Sequence, residues 1–303
     1  MISALSSYAS EVLMVEPLSF GFNLQTAADN EFQHLPVEQS LLDITLKAQE
    51  EFHNFRKKLC ELGIVVQTFP SKAAQDLPDA VFPNNWFSVQ PDKTLVLYPM
   101  YAQNRRLERT PEIIEYLTSR TSGFIDYSKY EAEGKFLEGT GSLVLDHDNK
   151  IAYACISHRT HPDLVKDWSV RFGYESVLFE ARGLSGKLVY HTNVVMMLGR
   201  GFAVVCLESI QDYKQRNIVM EKLEKSNKRI IEISLEQMSN YCGNMLYLEG
   251  KSGILVVSQR AWGMLSEVQK KVLEAVAHPL IVDIPTIETI GGGSVRCMLA
   301  ELY

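Results

Sequence analysis

The sequence predicts an α/β fold in one domain, and three observations carry that expectation. Short apolar runs of strand length alternate with amphipathic stretches of helical period along the whole chain. Several short runs are paired across tight polar turns, among them Asp146-His-Asp-Asn149 and Gly199-Arg-Gly201, which is hairpin patterning. No Gly/Ser linker or low-complexity tract divides the chain, so residues 1–303 are read as one unit.

Residues 11–15 read as a buried first strand that Pro17 ends. Residues 20–33 have no clean period and read as a polar and aromatic loop, which either lines a site or packs as ordinary surface. Residues 41–62 carry apolar side chains at helical spacing (Leu41, Leu42, Ile44, Leu46, Phe52, Phe55, Leu59), and Gly63 stops them. A strand at 64–69 follows. The segment 79–89 then leads to a partner strand at 94–98, and 105–117 reads as a helix. A hairpin is expected over 139–145 and 151–156, then a helix at 162–172 with proline near its start. A second hairpin spans 194–198 and 202–207, followed by a helix at 212–225 and a strand at 229–233. A short helix at 235–239 precedes a third hairpin, 245–248 with 254–258, a helix at 261–277 and a strand at 280–282. The hairpin-plus-helix theme thus recurs at 140–173, 194–225 and 245–277.

Composition narrows the function classes. Hydrophobic residues at 46% and charged residues at 22% suit a globular protein with a good core. A net charge of −7 argues against a generic nucleic-acid or anionic-membrane surface. The five cysteines (60, 155, 206, 242, 297) are odd in number and have no knuckle spacing, which argues against a disulfide framework and for a reducing cytoplasm. The first ten residues lack a basic region followed by an apolar run, so no signal peptide is expected, and no apolar run is long enough to span a membrane. No G-x-G-x-x-G or Walker A motif occurs, and no His/Cys/Asp cluster has ligand spacing, so neither cofactor nor metal is expected.

The chain ends in Gly291-Gly-Gly-Ser-Val-Arg-Cys297-Met. A glycine run lets backbone approach a ligand, and a thiol just beyond it is placed to attack. A lone cysteine is most often a small buried hydrophobe. A nucleophilic thiol needs a proton carrier. His191, in Tyr190-His-Thr-Asn193 at the entry to a buried strand, is the best placed of seven histidines. His34, His53, His147 and His278 read as surface or capping residues, while His158 and His161 flank Arg159 past a strand end. Glu138 lies between an apolar pair and a glycine-rich turn, and Asp79 opens an apolar strand.

Together these segments resemble the guanidine-modifying (pentein) superfamily, which includes arginine deiminases, dimethylarginine hydrolases and amidinotransferases. The C-terminal glycine-cysteine segment resembles its nucleophile motif. Phe136-Leu-Glu138-Gly139 resembles its Leu-Glu-Gly-Gly-Asp motif, and His191-Thr-Asn193 its His-x-Asp motif. Leu77-Pro-Asp79-Ala-Val-Phe-Pro-Asn84-Asn85 resembles the Leu-Pro-Asp-x-Val-Phe-x-Glu-Asp segment of dimethylarginine hydrolases. Segments around Arg105 and Arg159 resemble that group's two arginine motifs, and all six occur in the expected order. Phe20-Gly-Phe-Asn23 and the Phe-Pro-Asn-Asn-Trp run resemble a branch of citrulline-utilisation hydrolases. The resemblance implies a five-bladed ββαβ propeller around a central site.

It further implies Cys297 as nucleophile, His191 as proton carrier and Glu138 as its partner or a substrate contact. Asp79, Asn84, Asn85, Asn193 and Asn23 would bind substrate, with Arg105 and Arg159 on its α-carboxylate. Arg296, beside Cys297, would lower the thiol pKa or be only a strand residue. The chain departs from the pattern at Asn85 and Asn193, where relatives acting on guanidinium keep carboxylates. An amide offers one acceptor and two donors, which suits a neutral ureido group. Hydrolysis of citrulline is therefore favoured over arginine; the counter-reading is that Asp79 and Glu138 suffice to hold a guanidinium. Arginine deiminase, dimethylarginine hydrolase and amidinotransferase activity stay open, as does a silent binding protein. The expected partner is an arginine- or citrulline-like amino acid; a homodimer is allowed.

Overall fold

A computed structural model describes residues 7–35, 40–72, 76–250 and 253–303. The reading of the first ten residues therefore lies outside the described chain for residues 1–6. In order, the chain forms β1 (Glu11–Glu16), α1 (Leu41–Glu61) and β2 (Val65–Pro70). Next come β3 (Phe87–Val89), β4 (Thr94–Leu97), α2 (Pro111–Arg120) and β5 (Gly123–Asp126). They are followed by α3 (Gly139–Ser142), β6 (Val144–Asp146), β7 (Ile151–Cys155), α4 (Pro162–Phe172) and β8 (Glu175–Phe179). Then follow α5 (Thr192–Val195), β9 (Met196–Gly199), β10 (Phe202–Val205), α6 (Tyr213–Lys225) and β11 (Arg229–Glu232). The last part holds α7 (Leu235–Ser239), β12 (Leu246–Leu248), β13 (Ile254–Ser258), α8 (Gln259–Met264), α9 (Glu267–Glu274), β14 (His278–Val282) and β15 (Ala300–Leu302).

The strands make five sheets of three, ordered β15-β1-β2, β3-β4-β5, β6-β7-β8, β9-β10-β11 and β12-β13-β14. In each, the first two strands are antiparallel, and a helical crossover brings the third back parallel to the second. That is a ββαβ blade repeated five times, as expected. First strands of neighbouring blades pack together, β15 on β3, β6 on β9 and β9 on β12. The ring closes through a blade made from both ends of the chain, with Leu302 opposite Glu11 and Ala300 opposite Leu13.

Local chemistry explains most boundaries. Ser40 caps α1 by accepting from Asp43 N, and Ile44, Ala48, Phe52, Phe55 and Leu59 form its buried stripe. Leu41, Leu42 and Leu46, which share the helical pattern, instead face outward. His161 caps α4 through its ring, Pro162 follows, and Gly173 ends the helix in the left-handed region.

The structure corrects several boundaries. The helix expected over 105–117 is a 3-10 turn, Asn104–Glu108, followed by α2, because Pro111 starts a new helix and holds Thr110 extended. The helix expected over 261–277 breaks at Ser266, which is extended and caps α9 in a capping box. Residues 139–142 and 194–195, expected in strands, form the turns α3 and α5. The third strands β5 and β8, half-exposed, were not anticipated. His147 is not a surface histidine: its ring is bonded to Tyr174 Oη at 2.5 Å and Tyr303 Oη at 3.1 Å.

Candidate active site

Each blade's first strand is preceded by a tight turn: the 3-10 turn Pro83–Asn85 before β3, α3 before β6, α5 before β9, residues 241–243 before β12, and 295–298 before β15. These turns crowd each other. A Cβ on Gly139, whose φ is +48°, would stand 2.3 Å from the Asn84 carbonyl oxygen. One on Gly141 would stand 2.5 Å from Asn85 Nδ2 and 2.8 Å from the His191 ring. The turns bring Asn85, Glu138, His191, Asn244 and Cys297 together although they are spread over most of the chain.

His191 and Glu138 form a buried pair, with Nε2 2.8 Å from Oε2. A carboxylate only accepts, so Nε2 carries the proton and Nδ1 is the basic nitrogen. Burial favours a protonated Glu138 carboxyl, but Arg159, the His191 hydrogen bond and Arg105 outweigh it and hold the group down to about 2. Its other oxygen accepts from Tyr101 N at 2.9 Å. Burial pushes the His191 imidazole below the ordinary histidine value, Glu138 pulls it up, and Arg159 and Arg105 push it further down. The pair is therefore a neutral imidazole against an anionic carboxylate near neutral pH.

Cys297 is buried, at 5% exposure, on the turn after the glycine run. Asn244 Nδ2 lies 3.3 Å and Asn193 Nδ2 3.6 Å from its sulfur. Arg296 points away, bonding the Leu299 carbonyl at 3.0 Å and Glu301 at 2.9 Å. The glycines admit the Phe82 ring: a Cβ on Gly291 or Gly293 would be 2.9 or 2.8 Å from it.

Both arginines are engaged. Arg105 gives Nε and Nη2 to Glu108 at 2.8 and 3.0 Å, Nη2 also to the Phe82 carbonyl at 2.9 Å, and Nη1 to Asn85 Oδ1 at 2.7 Å. Arg159 gives Nε to Asp29 Oδ2 at 2.9 Å and Nη2 to Asp29 Oδ1, and its guanidinium stacks on Tyr190 with 4.6 Å to the ring centre. Each guanidinium thus has a bidentate carboxylate before any substrate arrives. Burial pushes Glu108 up to about 7 against the pull of Arg105.

Asp79 Oδ2 accepts from Asn23 Nδ2 at 2.7 Å and Thr26 Oγ1 at 3.2 Å, while its buried Oδ1 has no partner. Burial raises its pKa, against Arg105 and the Asn23 bond. Asn85 Nδ2 is likewise buried and unpartnered. Asp79, Asn85, Arg105, Arg159, His191 and Cys297 line one small cavity, walled also by Asn30, Phe82, Tyr190 and Gly291 to Gly293. The other predicted site residues stand outside that lining: Glu138 supports His191, Asn23 orients Asp79, Asn84 Nδ2 bonds Thr140 at 3.2 Å, and Asn193 lies against Cys297. Among the described residues no cluster of His, Cys, Asp or Glu could hold a metal. No described helix is long and apolar enough to cross a membrane.

Asp29, Glu108, Tyr190 and Asn244 escaped the sequence reading. Glu108 has the signal of an acid three residues after Arg105 in a helical turn. Asn244 stands two residues before its blade's first strand, close to the place Asn193 takes before β9. Nothing local marks Asp29, 130 positions from the arginine it holds.

The chain matches, over residues 16–303, the family described as N,N dimethylarginine dimethylhydrolase, eukaryotic. No curated protein matches it. Its fold is similar to the N-terminal domain of ArgZ, an arginine dihydrolase from the ornithine-ammonia cycle in cyanobacteria, with TM-score 0.74 and 17% identity over 96% of this chain and 97% of that one. It is similar to AgrE in complex with L-arginine, with TM-score 0.77 and 18% identity over 97% of this chain and 40% of that one. It is similar to dimethylarginine dimethylaminohydrolase as an adduct with S-methyl-L-thiocitrulline, with TM-score 0.68 and 17% identity over 97% and 100%.

Proposed function

The chain belongs to the eukaryotic N,N dimethylarginine dimethylhydrolase family, within the guanidine-modifying (pentein) superfamily, and on that premise we propose that it is a cysteine-dependent hydrolase of a terminal C–N bond in an arginine-related amino acid, accepting a ureido group such as that of citrulline. One observation carries the reading. Cys297, His191, Asp79 and Asn85 line one cavity, and two side-chain atoms of that lining set are buried without a partner, an acceptor, Asp79 Oδ1, and a donor, Asn85 Nδ2. A ureido group has NH₂ for the first and C=O for the second, whereas a guanidinium has only N–H donors and leaves Asn85 Nδ2 unpaired.

Cys297 gives up its thiol proton to neutral His191 and attacks the terminal carbon as thiolate, and the C–N bond breaks as the imidazolium so formed delivers that proton to the leaving nitrogen. Neutral His191 then takes a proton from water. The hydroxide adds to the thio-intermediate, the C–S bond breaks and the thiolate returns. Glu138 keeps Nε2 protonated, so the proton moves through Nδ1. Arg105 and Arg159 act chiefly by position: Arg105 orients Asn85, and Arg159 joins the Asp29 loop to Glu138.

A second reading, in which the substrate is a guanidinium such as arginine, has its own support. With Glu108 on Arg105 and Asp29 on Arg159, the charges of Asp79 and Glu138 remain to favour a cation. ArgZ, an arginine dihydrolase, and AgrE, solved in complex with L-arginine, suit it as well. The cytoplasmic setting, the single catalytic unit over residues 1–303 and a homodimer stay part of the proposal.

The test is turnover of citrulline, arginine and dimethylarginine, each alone, followed by release of ammonia or amine. Citrulline turned over at least as fast as arginine supports the ureido reading, and arginine much faster sinks it. Product carrying an added amine in place of water would make the chain an amidinotransferase. Unchanged turnover in Cys297→Ser removes the thiol mechanism.

A further inference from the structure

Asn244 stands against the Cys297 sulfur, just before β12, with a fully buried side chain. Its Nδ2 donates to the Asn193 backbone carbonyl at 3.1 Å and lies 3.3 Å from the sulfur. A carbonyl only accepts, so the first contact settles which end of the amide is nitrogen. One amide hydrogen is used there and the second is left for sulfur. Oδ1 of the same amide is 3.7 Å from Sγ, within reach of a thiol hydrogen. A single side chain can therefore partner both forms of the nucleophile, accepting from S–H and donating to S⁻. Gly243 draws this segment in: a Cβ there would stand 2.1 Å from the Val194 carbonyl oxygen.

No cation does this work from the same side, since Arg296 is turned to Leu299 and Glu301. The charged and titratable groups on the cavity side of the sulfur are His191, Asp79, Arg105, Arg159 and Tyr190, with Tyr241 behind. Asn193 Nδ2, at 3.6 Å, is a second and longer donor.

We propose that Asn244 is a catalytic residue whose side-chain amide donates to the Cys297 thiolate, aims it into the cavity and stabilises the anion both before attack and when sulfur departs from the thio-intermediate. The inference rests on the thiol mechanism proposed above, but not on which substrate is used.

The experiment is the rate of Cys297 alkylation by iodoacetamide against pH, without substrate, located by peptide mass spectrometry so that exposed Cys60 is counted separately. Asn244→Ala should move the midpoint up by about one pH unit, the worth of a hydrogen bond to a charged group. Asn244→Asp, of the same shape, should move it further by placing an anion against sulfur. In turnover, kcat should fall about 10- to 100-fold with KM nearly unchanged. An unchanged midpoint in either folded variant overturns the assignment. If the midpoint shifts but no guanidino or ureido compound is turned over, the Asn244 role stands and the substrate reading falls.

Discussion

Asn85 Oδ1 accepts from Arg105 Nη1 at 2.7 Å, and this contact decides which half of the amide is left for a substrate. A guanidinium only donates, so Nδ2 is turned the other way, where it is buried and unpartnered beside Gly141 and His191. Asn85→Asp replaces that donor by a second acceptor. Citrulline kcat/KM should drop about 10-fold or more, with arginine retained or improved, as expected for one strong hydrogen bond. Steady-state kinetics on both substrates checks it; equal losses on both would show that Asn85 does not discriminate.

Glu138→Gln should lower kcat by about 100-fold or more, since the amide no longer favours Nε2–H or the imidazolium. The acid limb of the pH–rate profile should lie below the ordinary histidine range in the wild type, because burial lowers His191. Loss of the carboxylate removes an influence that raises it, so the residual activity of the variant should have its acid limb at still lower pH. An upward move would contradict the pairing.

The same carboxyl makes a folding prediction. Glu138 is held at about 2 when folded, against 4.5 as its ordinary value. A depressed folded pKa contributes stability above the unfolded value and loses it as pH falls toward the folded one. Thermal melts should show wild type losing stability between roughly pH 4.5 and 2 more steeply than Glu138→Gln. Parallel curves would mean that Glu138 is not ion-paired in the native protein.

Gly141→Ala tests the crowding of the turns. The added methyl would meet Asn85 Nδ2 and the His191 ring, both of which must move. Overpacking of this kind costs about 1–3 kcal/mol. Activity should fall at least about 10-fold for a modest drop in Tm, because the displaced groups, Asn85 and His191, belong to the proposed site.

Asp29→Ala leaves the Arg159 guanidinium buried with Glu138, 3.7 Å away, as its remaining acidic neighbour. Breaking a buried pair from one side costs about 3 kcal/mol. The loop from Phe20 to Gln33 also hangs on this contact. Limited proteolysis should cut within that loop faster, alongside a raised KM; unchanged digestion would show that the other loop anchors suffice.

Much of the site was legible because the chemistry sits in short contiguous motifs. Glycines before Cys297, a glycine turn after Glu138 and a buried strand after His191 are local patterns, and each side chain reaches the centre because its own turn puts it there. Hairpins and some helix ends were legible for the same reason, since Gly63 just past α1 and Pro162 at the start of α4 act within one turn of their own helices. The third strands β5 and β8 were not: they are short and half-exposed, and their pairing partners supply most of what makes them strands.

By itself, the sequence singled out the candidate nucleophile and its candidate proton carrier, the order of the motifs and the alternation of strand pairs with helices. Only the tertiary structure decided that Arg159 is already paired with Asp29, that Asn193 lies against the thiol, and that Asn244 stands beside the sulfur. Those facts depend on contacts between blades. A donor or acceptor left unpaired in a buried centre is known only when every neighbouring turn is in place, and five turns from five separate stretches of chain meet there.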